Sequence, residues 1–160
     1  MSQPSYDPIL QPPNTAVGLI AAVLSHRFKN HPNSPPPTVM SCDNLPMNGN
    51  TTRQVVNQFV EKLNDPALAS YLSEKVKFPN SMVDRITPVT LPSHMESVEK
   101  KHNIKDNWPV VCEPFLQWVV EDTFSSDRPN FNDADGVIFT ESVEHYEFMK
   151  LRWALGWAEG

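Results

Sequence analysis

The fold is decided by residues 38–63, TVMSCDNLPMNGNTTRQVVNQFVEKL. The run Thr38–Cys42 is short and apolar and is followed by the turn-forming pair Asp43-Asn44, which predicts a buried strand. A helix capped near Asn50 or Thr51 is predicted next. Its apolar residues recur at helical spacing and are Val55, Val56, Phe59, Val60 and Leu63. A strand that leads through a polar turn into a helix is typical of α/β folds, in which ligand-binding loops follow strand ends.

Helices and short apolar runs alternate on both sides of this corner. Upstream, Asn14 or Thr15 caps a predicted helix whose apolar stripe is Val17, Ile20, Ala21, Leu24 and Phe28. Downstream, the predicted elements are a short helix (Ala67–Lys75), an extended segment or strand (Val83–Thr90), a polar helix (Pro92 to about Asn103), strands at Val110–Cys112 and Val137–Phe139, and a final helix from Ser142. Residues 117–122 fit a helix or a strand equally well. This alternation predicts an α/β protein with a partly parallel sheet.

Composition and motifs exclude several classes of site. The net charge is -6 in 160 residues, which argues against a nucleic-acid or anionic membrane partner. The five glycines form no G-x-G pattern, so the sequence carries neither a glycine-rich dinucleotide turn nor a P-loop. The five histidines lack metal-site spacing, and we expect no metal. Cys42 and Cys112 lie in apolar runs, which predicts buried free thiols in a reducing compartment, the cytoplasm.

Three segments resemble one enzyme family, in matching order and spacing. They are Ser41–Gly49 (SCDNLPMNG), Val76–Pro88 (VKFPNSMVDRITP) and Tyr146–Arg152 (YEFMKLR). The first is similar to a strand-to-helix corner, the second to a signature segment, and the third to the start of the catalytic helix of the mannitol dehydrogenases. These long-chain polyol dehydrogenases include mannitol 2-dehydrogenases and fructuronate reductases. The resemblance extends from about Thr15 to Arg152.

The resemblance implies the second half of a Rossmann-like nucleotide-binding domain, joined to the first helix of an all-α substrate domain. Residues 1–14 are then an irregular proline-rich tail, residues 15–141 the partial Rossmann-like domain, and residues 142–160 the start of the helical domain. The implied activity is NAD(P)-dependent interconversion of a polyol such as mannitol and a ketose such as fructose. The whole enzyme is implied to be a monomer with small-molecule partners and without a metal.

The resemblance also assigns roles to four residues. Lys150 is implied to be the catalytic base, Asn44 to polarise the reacting oxygen and bind substrate, and Asp84 to bind substrate hydroxyls. Glu147 is implied to belong to a proton channel near the base. Each of the four residues also has a purely structural interpretation. Lys150 fits a lysine whose stem covers an aromatic stripe, and Asp84 fits an ion pair with Arg85. Asn44 fits a turn, and Glu147 fits an ion pair on the helix surface.

The sequence departs from the family pattern at both ends. No glycine-rich turn precedes Thr15, and Leu155 and Ala158 occupy the positions where the family pattern K-x-x-x-x-N-x-x-H has asparagine and histidine. We therefore expect a fragment that is inactive alone, or alternatively a non-catalytic remnant that acts as an interaction module. Trp153 and Trp157 would lack covering helices, which predicts association.

Overall fold

The computed structural model describes residues 13–131 and 133–157, the last seven of them by their backbone alone. This part of the chain contains five helices and three strands. In chain order they are α1 (Ala16–Asn30), α2 (Asn48–Lys62), α3 (Pro66–Lys75), β1 (Ser81–Met82), α4 (Pro92–His102), β2 (Trp118–Glu121), β3 (Val137–Thr140) and α5 (Glu144–Trp157).

The first three helices pack around one apolar cluster. Two of them begin at a side-chain cap: the Thr15 hydroxyl accepts from the Gly18 amide at 3.1 Å, and the Asp65 carboxylate accepts from the Leu68 amide at 3.0 Å. The buried members of the cluster are Ala21, Leu24, Val56, Val60, Leu68, Leu72, Val76 and Phe78. The predicted stripe of α1 lies against or within this cluster. On α2, by contrast, Val55 is exposed rather than part of the core.

The sheet has the order β1-β2-β3 and mixed direction. β1 pairs antiparallel with β2, with Ser81 opposite Val120, and β2 pairs parallel with β3, with Val119 opposite Ile138. Beneath it, Met82, Val119 and Val143 form a second buried cluster, on which Tyr146 of α5 packs. The sheet is therefore partly parallel, as predicted. The first turn of α5 packs against the sheet through Tyr146.

Among the described residues, the segment after α1 forms one β-bridge. Thr38 pairs parallel with Lys77, and the Val39 amide donates to the Lys77 carbonyl at 3.0 Å. The prediction of a strand over Thr38–Cys42 was wrong beyond this bridge. The Ser41 carbonyl accepts from the side chains of Asn48 and Ser81, and the Asp43 carbonyl accepts from the Asn48 side chain, so side chains take the place of the backbone amides of a neighbouring strand.

Three other predictions about elements need correction. Val110–Cys112 forms no strand, because Val110 is 71% exposed in a surface loop. Of the two alternatives for Val83–Thr90, strand or extended segment, the strand is wrong, since β1 ends just before this segment and none of its residues lies in a strand. Helix α2 begins at Asn48 and not after a cap at Asn50 or Thr51. A side chain distant in sequence binds an amide of its first turn, since Asn80 Oδ1 accepts from the Asn50 amide at 3.0 Å. The ambiguous segment contains strand β2.

Both cysteines are free, but the prediction that they are buried was wrong. Cys42 lies in the corner before α2, and Cys112 lies in the loop before β2, and both are exposed. Apolar neighbours in sequence were a poor guide, since neither thiol lies within a helix or strand of the described part. Among the described residues, no helix has both the length and the apolar character needed to cross a membrane.

Gly49 is expected to be essential for the packing of α2. A Cβ atom at this position would lie 2.4 Å from the Pro79 carbonyl oxygen and 2.5 Å from that of Phe78, and both are backbone atoms that cannot turn away. We expect Gly49→Ala to destabilise the chain by about 1–3 kcal/mol, the usual cost of overpacking. Thermal unfolding followed by circular dichroism would measure this. The control is Thr51→Ala on the exposed side of the same turn, and equal melting temperatures for the two variants would contradict the prediction.

Candidate active site

Two loops meet at one edge of the sheet region. The corner that contains Asn44 follows the segment paired at Thr38, and the loop that contains Asp84 follows β1. Because the Thr38–Lys77 bridge is parallel, the carboxyl ends of both segments lie at the same edge. Lys150 reaches this edge from α5. Three segments that are far apart in sequence thus supply one group of polar side chains.

Asn44, Asp84 and Lys150 form a connected cluster. The Asn44 amide nitrogen Nδ2 donates to Asp84 Oδ2 at 2.8 Å, and Lys150 Nζ donates to Asn44 Oδ1 at 3.0 Å. Lys150 Nζ also donates to the Val83 carbonyl at 2.5 Å and lies 4.0 Å from Asp84 Oδ2. The two partners fix the orientation of the Asn44 amide, since only its oxygen can accept from an ammonium and only its nitrogen can donate to a carboxylate.

The cluster is half accessible and opens into a cavity. The side chain of Lys150 is 22% exposed and that of Asp84 is 49% exposed. The cavity beside them has a volume of about 200 Å³, and its lining includes Asn44, Ser81, Glu147 and Lys150. A second cavity, of about 620 Å³, is lined by Asp84 together with Cys42, Gln117, Trp118 and Asp135. Asn44 and Lys150 therefore line the smaller cavity, and Asp84 lines the larger one.

The backbone at Asp84 is held in an unusual conformation. Its φ is 86°, in the left-handed region where residues other than glycine are strained. The Arg85 amide donates to Asp84 Oδ1 at 2.8 Å. The Arg85 guanidinium does not pair with Asp84 but donates to the carbonyls of Phe115 and Glu113, at 2.6 and 2.8 Å. The alternative of an Asp84–Arg85 ion pair is therefore wrong. Arg85 instead links the loop after β1 to the loop before β2.

Glu147 lines the same small cavity and contacts a helix terminus. Its Oε1 accepts from the Met47 amide at 3.3 Å, at the N-terminal end of α2. Met47 itself has a left-handed φ of 50° and supplies no side-chain cap to α2. A carboxylate at this position is stabilised by the positive end of the helix dipole. Glu147 thus links α5 to α2 and lies beside Lys150 in the cavity wall.

Sequence reasoning missed the buried polar residues behind this cluster. Asn48 and Ser81 hydrogen-bond to each other, and Asn80 bonds to Glu121 through its backbone and its side chain. Asn48 lies in the segment Ser41–Gly49 and Ser81 in the segment Val76–Pro88, but a hydrogen bond between residues 33 positions apart leaves no periodic signal in one sequence. In the described part of the chain, His, Cys, Asp and Glu side chains form no cluster of three or more that could hold a metal.

A family described as the mannitol dehydrogenase Rossmann domain matches residues 10–133, more than half of the sequence. The chain belongs to this family. Among mannitol dehydrogenase relatives, it is 44% identical over 142 residues to mannitol 2-dehydrogenase of Emericella nidulans and 48% identical over 140 residues to that of Cereibacter sphaeroides. Each of these alignments covers 88% of this chain and 28% of the relative.

Two solved mannitol dehydrogenase relatives share the fold. The ternary complex of Pseudomonas fluorescens mannitol 2-dehydrogenase with NAD and D-mannitol superposes with a TM-score of 0.71 at 46% identity. This alignment covers 86% of the present chain and 27% of the P. fluorescens chain. A substrate-free D-sorbitol dehydrogenase gives a TM-score of 0.73 at 37% identity, over 88% and 28%. The observed architecture is accordingly a partial Rossmann-like fold, and the chain spans little more than a quarter of the length of these family members.

Some predictions concern parts of the chain outside the described residues. They concern the irregular tail, of which residues 1–12 are outside, Ala158, and the side chains of Trp153, Leu155 and Trp157. The helical course of α5 is described through Trp157.

Proposed function

We propose that this chain is the central part of an NAD(P)-dependent oxidoreductase that interconverts a mannitol-like polyol and a fructose-like ketose. The observation that carries the proposal is the 3.0 Å hydrogen bond from Lys150 Nζ to Asn44 Oδ1, made across 106 residues at a cavity wall. Relatives named mannitol 2-dehydrogenase support the reaction class, as does the P. fluorescens complex with NAD and D-mannitol.

In the proposed reaction, Lys150 is the general base. As the neutral amine, its Nζ takes the proton of the substrate hydroxyl and becomes the ammonium while the carbon of that C–OH group loses a hydride. In the reverse direction the ammonium returns the proton to the ketone oxygen. A base must lie within hydrogen-bond reach of the proton it removes. Lys150 suits this role because its amine borders a pocket while its stem is largely covered.

Asn44 and Asp84 are proposed to hold the substrate against this base. The Asn44 amide has two protons, of which one is directed to Asp84, and the other would donate to the reacting oxygen as negative charge develops there. The exposed Asp84 carboxylate accepts hydrogen bonds, and it borders the larger cavity, where further hydroxyls of a polyol would be received. We assign Asn44 to catalysis and substrate binding and Asp84 to substrate binding.

Glu147 is proposed to belong to the route by which the proton leaves Lys150. Both residues line the small cavity, and both oxygens of a carboxylate can accept protons from water or an amine. The Met47 amide, which donates to Oε1, would hold this carboxylate at the cavity wall.

The described residues supply an amine and an amide donor at a cavity wall, but no glycine-rich cradle for the pyrophosphate of a nicotinamide cofactor. A bound cofactor would supply the acceptor for the hydride. Gly49, by contrast, lies under the backbone of Phe78 and Pro79, so its close approach serves packing rather than a phosphate. Binding of the phosphates, and with it the choice between NAD and NADP, would fall to another part of the whole enzyme.

The domain division proposed above places residues 15–141 in the nucleotide-binding domain and 142–160 in the helical substrate domain. The start of α5 at Glu144 is consistent with the second boundary. We propose the cytoplasm as the compartment because both exposed thiols are free. The whole enzyme is proposed to act as a monomer without nucleic-acid or membrane partners.

The second candidate is a non-catalytic remnant. Leu155 and Ala158, at positions of the family's asparagine and histidine, favour it, because each missing oxyanion donor costs roughly 10²–10³ in kcat. In both cases we expect the isolated 160-residue chain to be inactive and to associate.

Two experiments test the proposal. Sequencing the coding region on both sides of this segment is expected to find a glycine-rich turn upstream and an N-x-x-H pattern downstream. Finding neither favours the remnant.

The second experiment assays the polypeptide encoded by the complete reading frame. We expect it to oxidise NADH or NADPH with D-fructose or with a hexuronate. The isolated chain serves as the control. Inactivity of the whole polypeptide would overturn the proposed reaction. Activity of the isolated chain would contradict the expectation that this chain is inactive alone.

A further inference from the structure

We infer that Asn48 is a positioning residue, which fastens the Asn44 corner to β1 and thereby sets the distances among Asn44, Asp84 and Lys150. The geometric part concerns the chain alone. The catalytic consequence rests on the proposed function.

Asn48 is a buried connector with its hydrogen-bonding groups in use. The residue is 1% exposed. Its Nδ2 donates to the carbonyls of Ser81 at 2.8 Å and Asp43 at 2.9 Å, and it lies 3.3 Å from that of Ser41. Its Oδ1 accepts from the Ser81 amide at 2.9 Å. One amide side chain therefore satisfies backbone groups of two separate segments, in a region where unsatisfied polar groups are costly.

Ser81 completes the same connection from the other side. It is 2% exposed, and its hydroxyl donates to the Ser41 carbonyl at 2.6 Å. The corner before α2 and the first residue of β1 are thus joined by bonds from Asn48 and from Ser81. These bonds also replace the strand ladder that the segment before Asn44 lacks.

The connected backbone groups lie next to the cluster. Asp43, whose carbonyl binds Asn48, immediately precedes Asn44, and Ser81 is three residues before Asp84. Lys150 also bonds to the Val83 carbonyl, so its amine bridges both segments. A shift of the corner relative to β1 would move Asn44 away from Asp84 and Lys150 together. Asn48 itself is not among the residues that line the cavity around Lys150, so it would act through the others.

The chemistry at this position requires an amide. Aspartate has the same shape, but without a donor its carboxylate would face the carbonyls of Ser41, Asp43 and Ser81. Leucine has a similar volume and leaves these carbonyls without the bonds. Both variants should loosen the corner, and aspartate should do so more strongly because it adds repulsion between a charge and the carbonyl dipoles.

The test measures the acetylation rate of Lys150 by mass spectrometry in the intact 160-residue chain, relative to Lys100, whose side chain is 79% exposed. In Asn48→Leu we expect Lys150 to react about fivefold faster, as for the loss of one net hydrogen bond, and in Asn48→Asp we expect a larger increase. Asn57→Leu on the same helix is the matched control and should leave the ratio unchanged. A merely stabilising role would lower the melting temperature without a selective change at Lys150 below the unfolding transition.

Ser81→Ala is the milder variant, because it removes only the hydroxyl, which donates to the Ser41 carbonyl and accepts from Asn48 Nδ2, and keeps the backbone bonds between Ser81 and Asn48. We expect Lys150 acetylation about twofold to fivefold faster. It decides the question if the Asn48 variants do not fold. An unchanged Lys150 ratio in folded Asn48 variants, or in Ser81→Ala when those do not fold, overturns the inference. Acetylation needs no turnover, so its result does not depend on whether the proposed oxidoreductase activity is found. In an active whole polypeptide, Asn48→Leu should lower kcat with little change in KM.

Discussion

Lys150→Met lowers kcat of the whole active polypeptide by about 10²–10⁴, the contribution typical of a positioned general base. Methionine keeps an apolar stem of similar length, so the bulk of the side chain is preserved while the amine is lost. The measurement is steady-state NADH oxidation with D-fructose over a range of substrate concentrations. Lys100→Met on the exposed face of α4 is the matched control and should retain full activity.

Lys150→Arg separates a base from a simple positive charge. Arginine can still donate to the Asn44 amide oxygen and the Val83 carbonyl, but it does not lose its proton in proteins. A general base at this position predicts that arginine is nearly as inactive as methionine. If arginine restored most of kcat, Lys150 would act by its charge alone, and the assignment as base would be wrong.

Asn44→Ala is expected to lower kcat by about 10²–10³, the loss found when one oxyanion donor is removed. The substitution removes the amide that links Asp84 to Lys150 and that would donate to the reacting oxygen. Because this bond strengthens as charge develops, the effect should appear in kcat more than in KM. Circular dichroism and the melting temperature would verify that the corner still folds.

Asp84→Asn provides the contrast. The amide retains the size of the side chain and an acceptor oxygen, but the carboxylate that receives the Asn44 bond and would bind substrate hydroxyls is lost. We expect KM for the sugar to rise severalfold with a smaller change in kcat, as for the loss of uniform binding. Equal kcat losses and unchanged KM in both variants would contradict the division of roles between Asn44 and Asp84.

The helices were predictable because their signals are local. Thr15 and Asp65 cap α1 and α3 from the position next to the helix, and the apolar stripe of α1 contacts the core it was expected to contact. The absence of a strand beyond Thr38 was not predictable in this way. The Ser41 carbonyl accepts from the side chains of Asn48 and Ser81, and composition carries no sign of that competition.

The candidate site was predictable in its members and not in its contacts. Family resemblance assigned Asn44, Asp84, Glu147 and Lys150, and the position of Asn44 after an apolar run indicated a ligand-binding loop. Their mutual bonds span 40 to 106 residues, and they depend on how three segments meet at one edge. The partners of Arg85 were unexpected for the same reason: two carbonyls in a distant loop replaced the neighbouring carboxylate.

The left-handed backbone at Asp84 has a consequence for protein engineering. At a φ of 86°, glycine would relieve a strain of about 1–3 kcal/mol, so the residue that suits the backbone differs from the one that suits the proposed substrate contact. Directed evolution that selected variants for heat resistance alone would weigh this gain only against the bonds that the carboxylate makes to Asn44 and to the Arg85 amide, and not against turnover. Such a library would need a screen for turnover at every round to retain its carboxylate.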